Sequence, residues 1–438
     1  MFFAASAALL LLWALFQNLY RIGTAPILAD EPAYTTAAWR YLTGTVGPPV
    51  PVTASGHLAA TPDNFEHPPL VKYLFAGAEW LAGTPHGLTA ARVVSALATL
   101  VATVVVALWV GRLAGRWTGL LAGALLVVLP QAASGALGRF DRFAMLDPVA
   151  SMFMVLSVVA AWTWAHRTGR AAWAWAVVTG ILIGLAAGAK ENGFLGAVGP
   201  VAVAVATAVL GRRLRPALAR CGQAAVALVT SLVTFVGLYL PLPHPAARIR
   251  YLVAFQLAHS HDGHLVGVAG QVTGTPPWWA NLWYAAHDYG PALTAFLGGA
   301  ALCAALLRRD SLVGWCVASL AAPLVFHCLV ARVALGFYWV MWTPMLLVLA
   351  ALGAAELVRR AARWAVPVAV VVAVAVLAVP AAASARESVA VADLRPTGVA
   401  AVPALMRTRG LHGAVASAGL PRWYWSYYLP GTTVHYTA

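Results

Sequence analysis

Apolar residues along this chain run in continuous blocks of about 20, the length that matches the hydrocarbon thickness of a bilayer. The blocks fall at 2–20, 91–111, 117–135, 147–165, 172–189, 194–211, 223–241, 290–307, 311–331, 337–356 and 365–384. They predict an all-α polytopic membrane protein with about eleven transmembrane helices. Two polar stretches between the blocks, 21–90 and 242–289, are too long to be turns. In the first, Tyr34, Ala37, Ala38 and Tyr41 share one helical face, which predicts a short helix along the membrane. His67 to Leu81 reads as a second such helix, entered through Pro68-Pro69. Residues 1–384 form one transmembrane module, and 385–438 a short tail that ends in Arg422-Trp423-Tyr424-Trp425-Ser426-Tyr427-Tyr428.

Composition excludes a soluble globule, since 61% of the residues are hydrophobic and 10% charged. The net charge of +14 is carried largely by arginines in alternate short loops: Arg112 and Arg116, Arg167 and Arg170, Arg212, Arg213, Arg215 and Arg220, Arg308 and Arg309, and Arg359, Arg360 and Arg363. By the positive-inside rule these loops are cytoplasmic, with the N-terminus inside, the C-terminus outside and both long loops extracytoplasmic. Scattered over five loops, the arginines form no stripe suited to nucleic acid. Residues 1–20 lack a basic leader and a small-residue cleavage site and read as a retained anchor. Cys221, Cys303, Cys316 and Cys328 have no metal-ligand spacing and read as small buried hydrophobes.

Carboxylates are scarce in such a chain, so Asp30-Glu31, directly after the first span, is the leading candidate for chemistry. Asp before Glu31-Pro32 is also good N-cap chemistry for a following helix. His67-Pro68-Pro69-Leu70-Val71-Lys72 reads either as a rigid turn with a snorkelling lysine or as a presentation of His67 and Lys72 to an anion. Arg92 begins the second span at its outer end, where a guanidinium suits a phosphate. Arg139, Asp141 and Arg142 stand in a short outer loop that ordinarily avoids arginine, and Asp147-Pro148 resembles a helix start. Lys72 and Lys190 are the two lysines, and both fall in outer segments; Lys190-Glu191 reads as a helix C-terminal cation or a phosphate contact. His259, His261, Asp262 and His264 are polar filler or a metal cluster, and the Pro276-Pro277-Trp278-Trp279 run suits the membrane interface.

In order along the chain, Asp30-Glu31, His67-Pro68-Pro69-Leu70 with Lys72, Arg92, the Arg142–Asp147 segment and Lys190-Glu191 resemble the GT-C glycosyltransferases. Their nearest branch is that of the protein O-mannosyltransferases and the aminoarabinose transferases of lipid A. The resemblance implies a GT-C-like bundle with extracytoplasmic loop helices and inverting transfer of a sugar, mannose first, from a polyprenyl-phosphate donor to a hydroxyl on protein, lipid or glycan. It makes Asp30 the general base with Glu31 beside it, and places Lys72, Arg92, Arg142 and Lys190 at the donor phosphate. His67, Asp141, Asp147, Glu191, His259, His261 and His264 then line the donor and acceptor pocket. A phosphate leaving group needs charge neutralisation more than a strong acid, so cations and one base suffice without a nucleotide-binding glycine loop. A divalent cation on Asp30, Glu31 and His261 is the one cofactor left open. The expected location is a prokaryotic plasma membrane with the site outside. A transporter or flippase is the alternative, although its charges belong near mid-membrane rather than at one face.

Overall fold

The computed structural model describes residues 2–25, 27–28, 30–48, 62–129, 139–211, 214–263, 265–331, 333–361, 366–393, 401–410, 415–418 and 434–437. Arg212, Arg213, His264, Arg363 and the aromatic run 422–428 lie outside them. The helices are α1 (Phe2–Leu19), α2 (Glu31–Thr43), α3 (Leu70–Ala82), α4 (Leu88–Ala114), α5 (Arg116–Val128), α6 (Leu146–Ala165), α7 (Gly169–Ala189) and α8 (Leu195–Leu210). They continue with α9 (Leu214–Gly237), α10 (Pro245–Asp262), α11 (Ala280–Tyr289), α12 (Pro291–Leu307), α13 (Ser311–Val325), α14 (Trp339–Arg360), α15 (Val366–Asp393) and α16 (Val402–Arg409). A π-helical turn, Phe326–Val330, extends α13. Strands β1 (Val266–Val268) and β2 (Gln271–Thr273) pair as an antiparallel hairpin, and β3 (Val415–Ala418) and β4 (Val434–Thr437) pair in parallel.

The described part of each of the eleven apolar blocks falls largely on a helix, and the protein is an α-helical membrane bundle. Among the described residues seven helices are long and apolar enough to cross a membrane, and eight if α11 and α12, bent by 112°, count as one broken span. Two blocks differ in extent. The third ends at Val128, and the seventh begins at Leu214, where Arg220 binds the carbonyls of Trp164 and Ala165 and extends the helix into its polar flank. The expected module boundary at 384 falls inside α15, whose Ser384 and Ser388 both donate to Gln17 Oε1 of α1 at 3.0 Å.

Small residues set the closest helix packing. Gly180, Gly184 and Gly188 recur every fourth position on α7, and a Cβ at Gly184 would lie 2.6 Å from the Ser231 carbonyl oxygen of α9. Without side chains there, the two backbones approach as glycine-mediated membrane helices do. Arg220 of α9 reaches the end of α6, and Arg360 at the end of α14 reaches the last residue of α12, Leu307. α2 does not lie free along a surface: Tyr34, Ala37 and Ala38 are buried, and the helix packs against α3 and α4. α3 buries Val71, Lys72, Phe75 and Glu79 while exposing Trp80 and Leu81.

Candidate functional site

Asp30 and Glu31 open α2, and their fates differ. Glu31 Oε1 accepts from Arg92 Nε at 2.7 Å and from the Ala144 amide at 2.7 Å. Its Oε2 accepts from Arg92 Nη2 at 2.7 Å and the Leu28 amide at 2.8 Å. Arg92 Nη1 donates to the Ile22 and Ala25 carbonyls at 3.0 and 2.9 Å. With exposures of 1% for Arg92 and 0% for Glu31, this bidentate pair is sealed, and it joins the α1–α2 and α5–α6 connections to the starts of α2 and α4. Four hydrogen bonds occupy the lone pairs of Glu31, which makes this carboxylate part of the framework.

The neighbouring cations are equally committed. Arg139 grips Asp141 through Nε at 3.0 Å and Nη2 at 2.8 Å, and its remaining hydrogens reach the Leu126, Val127 and Leu129 carbonyls at the end of α5. Arg142 donates to the Gln17 and Tyr20 carbonyls at 3.0 and 2.5 Å, capping α1, while its buried Nε has no partner among the described residues. Lys72 donates to the carbonyls of Asn64 and His67, and burial pushes its ammonium down to about 7. These placements differ from the expectation of a phosphate cradle at Lys72, Arg92 and Arg142, and from that of Glu31 and Asp141 as pocket groups. Their donors and acceptors are directed into protein, where helix ends and tight turns supply carbonyls.

A second group of side chains is less saturated. Asp30 adopts right-handed helical backbone angles and its side chain makes no capping hydrogen bond, so the N-cap reading does not describe it. Burial raises the phenols of Tyr34 and Tyr338, and the charges of Asp30, Asp147 and Glu191 raise both further, which places three carboxylates around two tyrosines. Lys190 Nζ donates to Asp147 Oδ1 at 2.6 Å and lies 5.0 and 4.6 Å from the ring centres of Phe337 and Tyr338. His67 Nδ1 is 3.1 Å from Glu191 Oε2, with 23% of each side chain exposed, and its ring stands edge-on to Tyr34. Burial acts to raise the Glu191 carboxyl, but the charge and hydrogen bond of His67, with Lys190, outweigh it and hold the group below the usual carboxylate range.

A cavity of about 1150 Å³ opens beside this cluster. Its walls are apolar faces of α7, α8, α9 and α10, including Val201, Val205, Leu228 and Phe235. Its polar rim carries Glu191, Asn192, Gln256, His259, Ser260 and Tyr338.

His259 and His261 occupy the last turn of α10 rather than a loop, and residues two apart on a helix point in different directions. His259 lines the cavity, while His261 is exposed. Among the described residues no three His, Cys, Asp or Glu side chains converge on a metal position; His264 and the Asp262 side chain lie outside that set. Of the cysteines only Cys316 is fully buried, and Cys221 is exposed. Tyr34, Phe337, Tyr338, Asn192 and His327 escaped site assignment from sequence, because aromatic and amide residues beside spans read as interface or packing.

Residues 87–254 match the dolichyl-phosphate-mannose-protein mannosyltransferase family. The crystal structure of ArnT from Cupriavidus metallidurans bound to undecaprenyl phosphate aligns over 98% of this chain and 85% of its own, with a TM-score of 0.68 at 16% identity. The apo oligosaccharyltransferase of Archaeoglobus fulgidus aligns over 99% of this chain and 64% of its own, with a TM-score of 0.65 at 13% identity. The oligosaccharyltransferase AglB of that organism, in complex with an inhibitory peptide and a dolichol-phosphate, gives a TM-score of 0.57 at 12% identity, over 98% and 63% of the two chains. No curated protein sequence matches the chain. The chain has the GT-C fold and resembles the O-mannosyltransferase and aminoarabinose-transferase branch of those glycosyltransferases.

Proposed function

We propose that the protein is an inverting glycosyltransferase that moves a sugar from a polyprenyl-phosphate donor to a hydroxyl acceptor on protein, lipid or glycan. The observation that carries this reading is the cavity of about 1150 Å³, apolar along its length and polar at the rim that meets Glu191 and Tyr338. An isoprenoid chain suits such walls, and its phosphate would lie at the rim. The solved relatives that bind undecaprenyl phosphate and dolichol phosphate support the same donor class here. The arginines of alternate short connections support an extracytoplasmic site with the N-terminus inside.

In the reaction, the acceptor oxygen attacks the anomeric carbon as the bond from that carbon to the phosphate oxygen breaks, and Asp30 takes the acceptor proton. Asp30 fits the base because it stands in the turn that Arg92 and Glu31 fix, near Asp147, Glu191, Tyr34 and Tyr338. Lys190, with three hydrogens and one hydrogen-bond acceptor among the described residues, is the cation assigned to the departing phosphate. Arg92, Arg142 and Lys72 become framework. Mannose is the first sugar to test. Purified protein incubated with radiolabelled polyprenyl-phosphate mannose, glucose and aminoarabinose should transfer one of them with inversion; a protein that binds none of these donors would overturn the reading.

A further inference from the structure

The wall of the cavity holds a polar pair that the proposed chemistry does not use. Asn192, in the turn between α7 and α8, places its Nδ2 3.3 Å from His327 Nε2, and both residues line the cavity beside Glu191 and Tyr338. His327 sits in the π-helical turn Phe326–Val330, and its carbonyl oxygen accepts from Asn281 Nδ2 at 2.8 Å. π-Turns inserted at the end of a helix recur at functional sites, because the extra residue re-aims a side chain.

Both side chains are deeply buried, with exposures of 7% for Asn192 and 3% for His327, yet Asn192 Oδ1 and His327 Nδ1 have no partner among the described residues. Orphaned polar atoms in such surroundings are costly, and native proteins keep few of them. The amide and ring orientations can be exchanged, and the outcome is the same. If the amide donates to the ring, an Asn192 acceptor and a His327 donor remain. If the ring donates to the amide, an Asn192 donor and a His327 acceptor remain. A phosphate offers acceptors only and satisfies one of the two; sugar hydroxyls, which donate and accept, satisfy both.

We infer that Asn192 and His327 form the subsite that reads the hydroxyls of the donor sugar, held in place by Asn281 and distinct from the cation that meets the phosphate. Both orphaned atoms are buried, so recognition includes a rotation of the Asn192 amide, whose terminal torsion is broad and roughly two-fold. The inference rests on the polyprenyl-phosphate reading of the cavity.

Binding measurements separate the two. Polyprenyl phosphate without a sugar, polyprenyl-phosphate mannose and its monodeoxy analogues are titrated against wild type, Asn192→Leu and His327→Phe, with His327→Gln as a milder variant where phenylalanine impairs folding. The sugar-bearing donor is expected to bind each variant about three- to tenfold more weakly, one neutral hydrogen bond's worth. The sugar-free lipid should bind as to wild type, and one deoxy analogue should no longer distinguish variant from wild type. Equal weakening of both lipids, or no change in either, overturns the subsite and leaves the lipid reading intact. Failure of wild type to bind the sugar-free lipid overturns both.

Discussion

Two carboxylate–cation pairs at the same end of the bundle differ in how much hydrogen-bonding capacity the fold leaves unused. Around Glu31 and Arg92 every carboxylate lone pair meets a hydrogen, and the guanidinium is bound to two backbone carbonyls as well as to its partner. Around Asp147 and Lys190 a single hydrogen bond of 2.6 Å joins the charges, and aromatic faces take the place of further acceptors. A saturated pair is a fastening: it fixes two connections and lends its rigidity to the turn at Asp30. An unsaturated pair next in the chain to the cavity-lining Glu191 can still exchange partners with a substrate.

The largest expected effect is on the fastening. Arg92→Ala leaves the Glu31 charge buried and unpaired, and should lower stability by about 3–5 kcal/mol, visible as a loss of folded protein or a large drop in melting temperature in detergent. A variant of normal stability would show that the pair is not structural. Lys190→Met acts on the other pair: donor affinity should fall about ten- to hundredfold, the size of one charge-assisted contact. Unchanged donor binding there would remove Lys190 from the phosphate.

This contrast was half legible in the sequence. The apolar blocks marked the bundle, and the scarce carboxylates and lysines marked the end that matters. Asp30, His67, Lys190, Glu191 and Asp147 converge there. What sequence could not separate was a cation that caps a helix from one that meets a substrate. Arg139 and Arg142 stand in a loop that ordinarily avoids arginine because α5 and α1 end beside it with unpaired carbonyls, a need that arises only in three dimensions. The same applies to Lys72, whose two carbonyl acceptors belong to the turn leading into its own helix. The every-fourth-residue glycines on α7 likewise escaped the reading of the sequence, because their close approach to α9 shows only once the helices are packed.

A pH effect concerns Glu79 of α3, whose carboxyl is buried and is offset only in part by the backbone amide of His86. Burial pushes its carboxyl up to about 8. The folded state therefore binds a proton that the unfolded chain releases near its ordinary carboxylate value. The stabilisation from this group is fully present below that ordinary value and is lost as pH rises through about 8. Glu79→Gln should flatten the fall in melting temperature between pH 5 and pH 8, an interval set by the two pKa values. An unaltered pH profile would show that Glu79 does not titrate in this range.

Asp30 tests the division between fastening and chemistry most directly. Asp30→Asn keeps the size of the side chain and removes its basicity, and a positioned general base contributes about 100-fold to 10,000-fold. Melting temperature, donor binding and sugar transfer measured on one preparation should show the first two unchanged and transfer reduced by that factor. Near-normal transfer by the asparagine variant would contradict the account.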